Sequence, residues 1–150
     1  MNIGKYCTRN VITATTDMGI VEASKLMRKY HVGSLVVVSQ NSDGSIPVGI
    51  VTDRDIMIEV IAEEVPIDSV TIGDVMTRSP VVIREDDGFF ESINLMREKG
   101  IRRLPVTDSL GKLTGILATD DLLRFIYEEL GNLVSLVYKE QMQEYKKRSD

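Results

Sequence analysis

Two aspartates sit at the same distance behind a glycine and an apolar run, in Gly49-Ile50-Val51-Thr52-Asp53-Arg54-Asp55 and in Gly115-Ile116-Leu117-Ala118-Thr119-Asp120-Asp121. Thr52 and Asp55 read as a capping box, in which side chain and backbone satisfy each other across the first turn of a helix. Ala118 holds the place of Thr52 in the second run and has no hydroxyl to cap with, whereas Thr119 is able to cap one residue later. The adjacent Arg102 and Arg103 are either a solvated pair or planar forks suited to bidentate contact with an anion. Cys7 is the only cysteine and His31 the only histidine, so neither an internal disulfide nor a conventional soft-metal cluster is expected. The scattered Asp and Glu residues form no constellation of nucleophile, base and metal, and no catalytic residue is assigned.

A repeat places these residues. An offset of 69 carries Ile3-Gly4 onto Ile72-Gly73, Thr8-Arg9 onto Thr77-Arg78, Asp17 onto Asp86, Gly19 onto Gly88 and Glu22 onto Glu91. The same offset carries Leu26-Met27-Arg28 onto Leu95-Met96-Arg97, Leu35 onto Leu104 and Val37 onto Val106, twelve identities over the 35 positions from Ile3 to Val37. That is several times the agreement expected by chance. The register then shifts by three, so that Gly49-Ile50 matches Gly115-Ile116 and Asp55 matches Asp121. The shift falls in a polar, glycine-containing connection, where a hairpin loop tolerates a change of length.

Each half spells the same elements. Ile20, Ala23, Met27 and Tyr30 recur at helical spacing after the cap candidates Thr16 and Asp17, with Gly33 as the stop; Phe89, Ile93 and Met96 repeat the pattern up to Gly100. Met27 and Met96 read as core residues. Leu35-Val36-Val37-Val38 is a strand buried on both faces, and Asn41-Ser42-Asp43-Gly44 is turn chemistry leading into Val48-Gly49-Ile50-Val51. A second helix runs from Thr52 to about Ala62, its counterpart starts at Thr119, and Glu63 to Val70 is the linker. The expected fold is α/β (α+β), two β-α-β-β-α repeats spanning 1–65 and 66–128 with a helical extension at 129–150. A half of about 60 residues is marginal alone, so the halves should pack about a pseudo-twofold axis with a ligand cleft at the seam.

Composition narrows the function classes. The chain has 150 residues, 43% of them hydrophobic, and a net charge of −5, which disfavours general binding to nucleic acid. The longest apolar run is four residues, far below the roughly 20 that span a bilayer, and the first residues lack a signal-peptide core, so a reducing cytoplasm is expected.

The two Gly-to-Asp runs, the opening Ile72-Gly73-Asp74-Val75-Met76-Thr77-Arg78-Ser79-Pro80-Val81, and the strand Ile101-Arg102-Arg103-Leu104-Pro105-Val106 together resemble the cystathionine-β-synthase (CBS) domain family, in tandem, up to about Ile126. The resemblance implies a non-enzymatic module that binds AMP, ADP, ATP, S-adenosylmethionine or a related adenosyl compound between the halves. It implies that Asp55 and Asp121 accept from ribose hydroxyls, and that Thr52, Thr119, Arg102 and Arg103 reach ribose or phosphate. Adenine is implied to lie among Ile12, Thr13, Ala14, Val81, Val82, Ile83 and Pro105. A carboxylate suits two vicinal hydroxyls, since charge-assisted hydrogen bonds exceed neutral ones. Ala118 in place of Thr or Ser, and Gly33-Ser34 in place of an arginine pair, imply two unequal clefts.

The competing readings are structural. Thr52 and Asp55 cap a helix, and His31 sits at a helix end. Ile126, Leu130, Leu133 and Val137 form an apolar seam that packs either within the module or against a second copy, with Gly131 a point where the helix breaks or bends. The expectation is a ligand sensor, a homodimer that signals to an effector protein, most readily through an AMP, ADP or ATP type of ligand. The alternatives are a ligand-free interaction or dimerisation scaffold and, behind it, a nucleotide-acting enzyme.

Overall fold

The computed structural model describes residues 2–42 and 44–149. Asp43, one of the expected turn residues, lies outside them.

Strands and helices follow the repeat. In the first half β1 (Thr13–Ala14) leads to α1 (Ile20–Tyr30), then to the hairpin β2 (Ser34–Asn41) and β3 (Gly44–Thr52), and on to α2 (Asp53–Ile56). α2 continues as a wider π turn over Met57–Ile61, where the Ala62 amide donates to the Met57 carbonyl five residues back. After a short linker come α3 (Ile72–Val75) and β4 (Thr77–Arg78), then the second half: β5 (Ile83–Arg84), α4 (Phe89–Lys99), β6 (Arg103–Thr107), β7 (Leu113–Ala118) and α5 (Thr119–Arg148). One sheet runs β1-β2-β3-β4 and the other β5-β6-β7, with β3 against β7 at the seam. β2 and β6 each carry a register shift at equivalent places, Val37/Val38 and Val106/Thr107. Leu35 to Val38 are buried as the apolar run requires.

The opening segments are exchanged between the halves. The amides of Ile3 and Gly4 donate to the carbonyls of Asp87 and Glu85, and those of Ile72 and Gly73 to Met18 and Thr16, the same pair of bonds 69 residues apart. Thr8 bridges Ile116 while Thr77 pairs with Ile50. Ile3 and Cys7 therefore join the core of the second half, and Ile72 and Met76 that of the first.

This exchange accounts for much of the repeat's identity. A Cβ on Gly49 would stand 2.3 Å from the Met76 Sδ, and one on Gly115 would stand 2.6 Å from the Cys7 Sγ, so both strands need glycine where the other half's opening crosses them. Arg9 and Arg78 each donate to the carbonyl of the glycine five residues back, Gly4 at 2.7 Å and Gly73 at 2.9 Å.

Three local expectations are corrected. α1 is capped by Gly19, with Thr16 and Asp17 upstream of its start. It stops at His31, which takes the left-handed conformation (φ 54°) ahead of Gly33, whereas Gly100 does end α4 with φ 64°. Gly131 neither breaks nor divides α5, which runs unbroken from Thr119 to Arg148.

Candidate functional site

The N-terminus of α5 sets the position of Asp121. Its Oδ2 accepts from the Ala118 amide at 2.9 Å, in the way that Asp55 Oδ2 accepts from the Thr52 amide at 2.8 Å. The first box is complete, because Thr52 Oγ1 also accepts from the Asp55 amide at 3.1 Å. Ala118 has no such oxygen. Thr119 does not replace it, since its hydroxyl turns away and donates to the Arg102 carbonyl at 3.2 Å. The capping role of Asp55 and Asp121 is thus realised, with each carboxylate held by one oxygen at the mouth of its turn.

Asp121 is buried, at 8% exposure, and lies in a cleft of about 260 Å³ drawn from both halves. The opening of the first half contributes Thr8, Asn10, Val11 and Ile12, the α1–β2 connection contributes His31 to Ser34, and the second half contributes Arg103, Ile116, Ala118, Asp120 and Asp121. Gly33 keeps this wall thin: a Cβ there would meet the Asp53 carboxylate at 3.3 Å and the Arg103 guanidinium at 3.6 Å. Its lining combines the apolar Val11, Ile12, Val32 and Ile116 with the carboxylates of Asp120 and Asp121, the Arg103 guanidinium and the buried Ser34. The volume is just below the roughly 300–1,000 Å³ of typical small-molecule sites. Asp121 Oδ1 also accepts from Arg124, whose side chain is 65% exposed.

A larger cavity, about 510 Å³, lies along the first sheet beside Thr15, Gln40 and Ser79. Its one charged side chain, Arg78, donates to the Gly73 carbonyl, and no aspartate lines it as Asp121 lines the seam cleft.

Of the residues expected at the site, the structure brings Asp121, Arg103 and Ile12 together in the seam cleft. Asp55 and Thr52 are half-buried in their capping box and do not line it; Arg102 is exposed and Thr119 faces its carbonyl. Ala14 and Ile83 belong to the two cores and Pro105 is fully buried, and none of the three lines this cleft. Thr13 and Val81 are half-buried and Val82 is exposed, outside this cleft. Thr8, Asn10, Val11 and Val32 also line the cleft and were not singled out in the sequence for it. The repeat held the signal, because Gly33-Ser34 aligns with Arg102-Arg103, and the crossed openings bring one half's connection against the other half's aspartate.

The chain matches the CBS domain model twice, over residues 3–62 and 72–128, and belongs to that family. It is 36% identical over 124 residues to an uncharacterized protein of Methanopyrus kandleri, covering 83% of this chain and 62% of that one, so it spans less than two thirds of that relative. Among solved structures it is similar to CBSX2 in complex with AMP (29% identity, TM-score 0.73, 85% of this chain and 96% of that one). It is likewise similar to a CBS domain pair in complex with 5′-methylthioadenosine and S-adenosyl-L-methionine (26% identity, TM-score 0.74, 86% and 98%).

Proposed function

We propose that this CBS pair is a regulatory module that binds an adenosyl ligand of the AMP, ADP or ATP type in the seam cleft and passes the binding event to a partner protein. The observation that carries the reading is the buried Asp121 carboxylate facing a cleft built from both halves, with Arg103 beside it. The ribose hydroxyls donate to Asp121 as Arg124 yields, adenine lies against Ile12, Val32 and Ile116, and the phosphate reaches Arg103. Because both halves line the cleft, a ligand favours the arrangement in which they close on it, and that shift is the signal. The solved relatives bound to AMP and to S-adenosylmethionine support an adenosyl ligand, and the guanidinium favours a phosphorylated one. The Asp55 side, with its Thr52 hydroxyl, is the second and unequal position.

Calorimetric titration with AMP, ADP, ATP, S-adenosylmethionine and NADH tests this, on the wild type and on Asp121→Asn, which keeps an acceptor for the Ala118 amide. Saturable binding of one of them, weakened about tenfold or more by the substitution, is the expected result. Absence of binding by all five would leave the alternative of a ligand-free scaffold, which the exposed apolar face of α5 favours.

A further inference from the structure

The two openings carry the same arginine in different settings. Arg9 donates through Nη2 to the Gly4 carbonyl at 2.7 Å and through Nη1 to Glu85 Oε2 at 2.9 Å, while the Gly4 amide donates to the Glu85 carbonyl at 3.0 Å. Arg78 donates through Nη2 to the Gly73 carbonyl at 2.9 Å, and the Gly73 amide donates to the Thr16 carbonyl at 2.8 Å. The offset of 69 that carries Arg9 onto Arg78 also carries Thr16 onto Glu85. The backbone frame is thus built twice and the carboxylate is supplied once. Nη1 of Arg78 has no hydrogen-bond partner among the described residues, and the bond to a neutral carbonyl leaves its charge unbalanced. Asp74 interacts with Arg78 beyond ion-pair contact, while its Oδ2 accepts from the Thr71 amide and hydroxyl.

The missing carboxylate coincides with space. The cavity of about 510 Å³ along the first sheet is lined by Arg78, Thr16, Ser39 and Ser79, among others, and shares no residue with the seam cleft. The hydroxyls of Thr16, Ser39 and Ser79 make no hydrogen bond among the described residues. Ser79 holds a left-handed backbone (φ 49°), a conformation that non-glycine residues keep mostly at functional sites, whereas its counterpart Asn10 does not. Arg78 is the one charged side chain of the lining, so it balances a single negative charge, and a guanidinium fork matches a carboxylate.

We propose that this cavity is a second ligand site, for a small hydroxylated organic acid whose one carboxylate takes on Arg78 the place that Glu85 takes on Arg9. Thr16 belongs to the first half and Arg78 to the opening of the second, so the bound acid fastens the halves together and stabilises the fold.

Thermal unfolding at fixed ionic strength, with acetate, lactate, gluconate and inorganic phosphate compared against chloride, tests the site. The expected result is a saturable rise in melting temperature with at least one of the three carboxylates, and an apparent affinity at least about tenfold weaker in Arg78→Gln. Thr16→Glu keeps Arg78 and its bond to Gly73 while supplying the carboxylate from the chain, so it should remove the response without loosening the opening. Arg97→Gln, which takes an exposed guanidinium from α4, should leave the response unchanged. Neither Arg78→Gln nor Thr16→Glu alters a residue of the seam cleft, so these results are separate from nucleotide binding. No response to any of the three carboxylates, a response to phosphate alone, or a full response retained in Thr16→Glu would each overturn the proposal.

Discussion

The Gly73 amide donates to the Thr16 carbonyl at 2.8 Å, and a Cβ on Gly73 would stand 2.8 Å from that same oxygen. The contact fastens the opening of one half to the other, and backbone oxygen cannot move aside as a side-chain tip can. Gly73→Ala should therefore destabilise the fold by about 1–3 kcal/mol through overpacking. Gly100→Ala is a contrasting case, since nothing lies within 4 Å of that site and the cost there comes from φ 64° alone. Urea denaturation of both variants checks this, and an unperturbed midpoint for Gly73→Ala would refute the tight approach.

Arg9 holds the other opening. It donates to the Gly4 carbonyl at 2.7 Å, to the Thr114 carbonyl at 3.3 Å and to Glu85 at 2.9 Å. The ion pair is half exposed, 52% on one side and 38% on the other, and exposed pairs contribute at most about 1 kcal/mol. Arg9→Ala should thus cost more than Glu85→Ala, because it also removes a donor from the Thr114 carbonyl and leaves the Gly4 carbonyl with the weak Cys7 thiol at 3.6 Å. Equal midpoints for the two variants would show that the carbonyl contacts add nothing.

Cys7 packs beneath Gly115, and burial pushes its thiol pKa above the ordinary value despite the opposing pull of Arg9. A group raised in the folded state adds no pH dependence below its unfolded pKa, and stability falls as pH rises past that value because the unfolded chain ionises first. Stability should therefore decline from about pH 9 upward through this group, and Cys7→Ala should flatten that limb. Thiol labelling of the native protein should be slow at pH 8 and speed up in denaturant; rapid labelling of the folded chain would contradict the burial.

Two substitutions separate the parts of the cleft. Asp121→Ala removes both the proposed ribose acceptor and the partner of the Ala118 amide, so it should lower stability by about 1 kcal/mol as well as weaken binding. Arg103→Met should leave the fold intact and erase the preference for AMP over adenosine, on the proposed reading that phosphate meets this guanidinium. The ratio of the two dissociation constants is the readout, and a ratio unchanged in Arg103→Met removes Arg103 from the ligand.

The repeat was legible in the residues because pseudo-twofold packing demands the same chemistry twice: Met27 and Met96 are both core, and the strand order follows the apolar runs. What the sequence concealed was the crossing of the openings. Gly4, Thr8 and Arg9 are near their own half in number and on the other half in space, and single-chain periodicity carries no information about which sheet a segment joins. For that reason the sequence named Asp121 and Arg103 of this cleft, and did not name Asn10 across it. The inward turn of Ala14 and Ile83 was hidden because β1 and β5 are two residues long, too short to show which side chain faces the core.

Gly131 tests how the projecting helix is held. It lies in the interior of α5, with nothing within 4 Å of where a Cβ would sit, so no turn or close approach inside the chain calls for glycine. Glycine in a helix interior costs about 0.8–1.0 kcal/mol relative to alanine. Gly131→Ala should accordingly raise the far-ultraviolet helical signal, because alanine loses less order than glycine on entering a helix. Should the helical signal instead stay unchanged or fall, the segment around position 131 would have to depart from helical geometry in solution, against the unbroken run from Thr119 to Arg148.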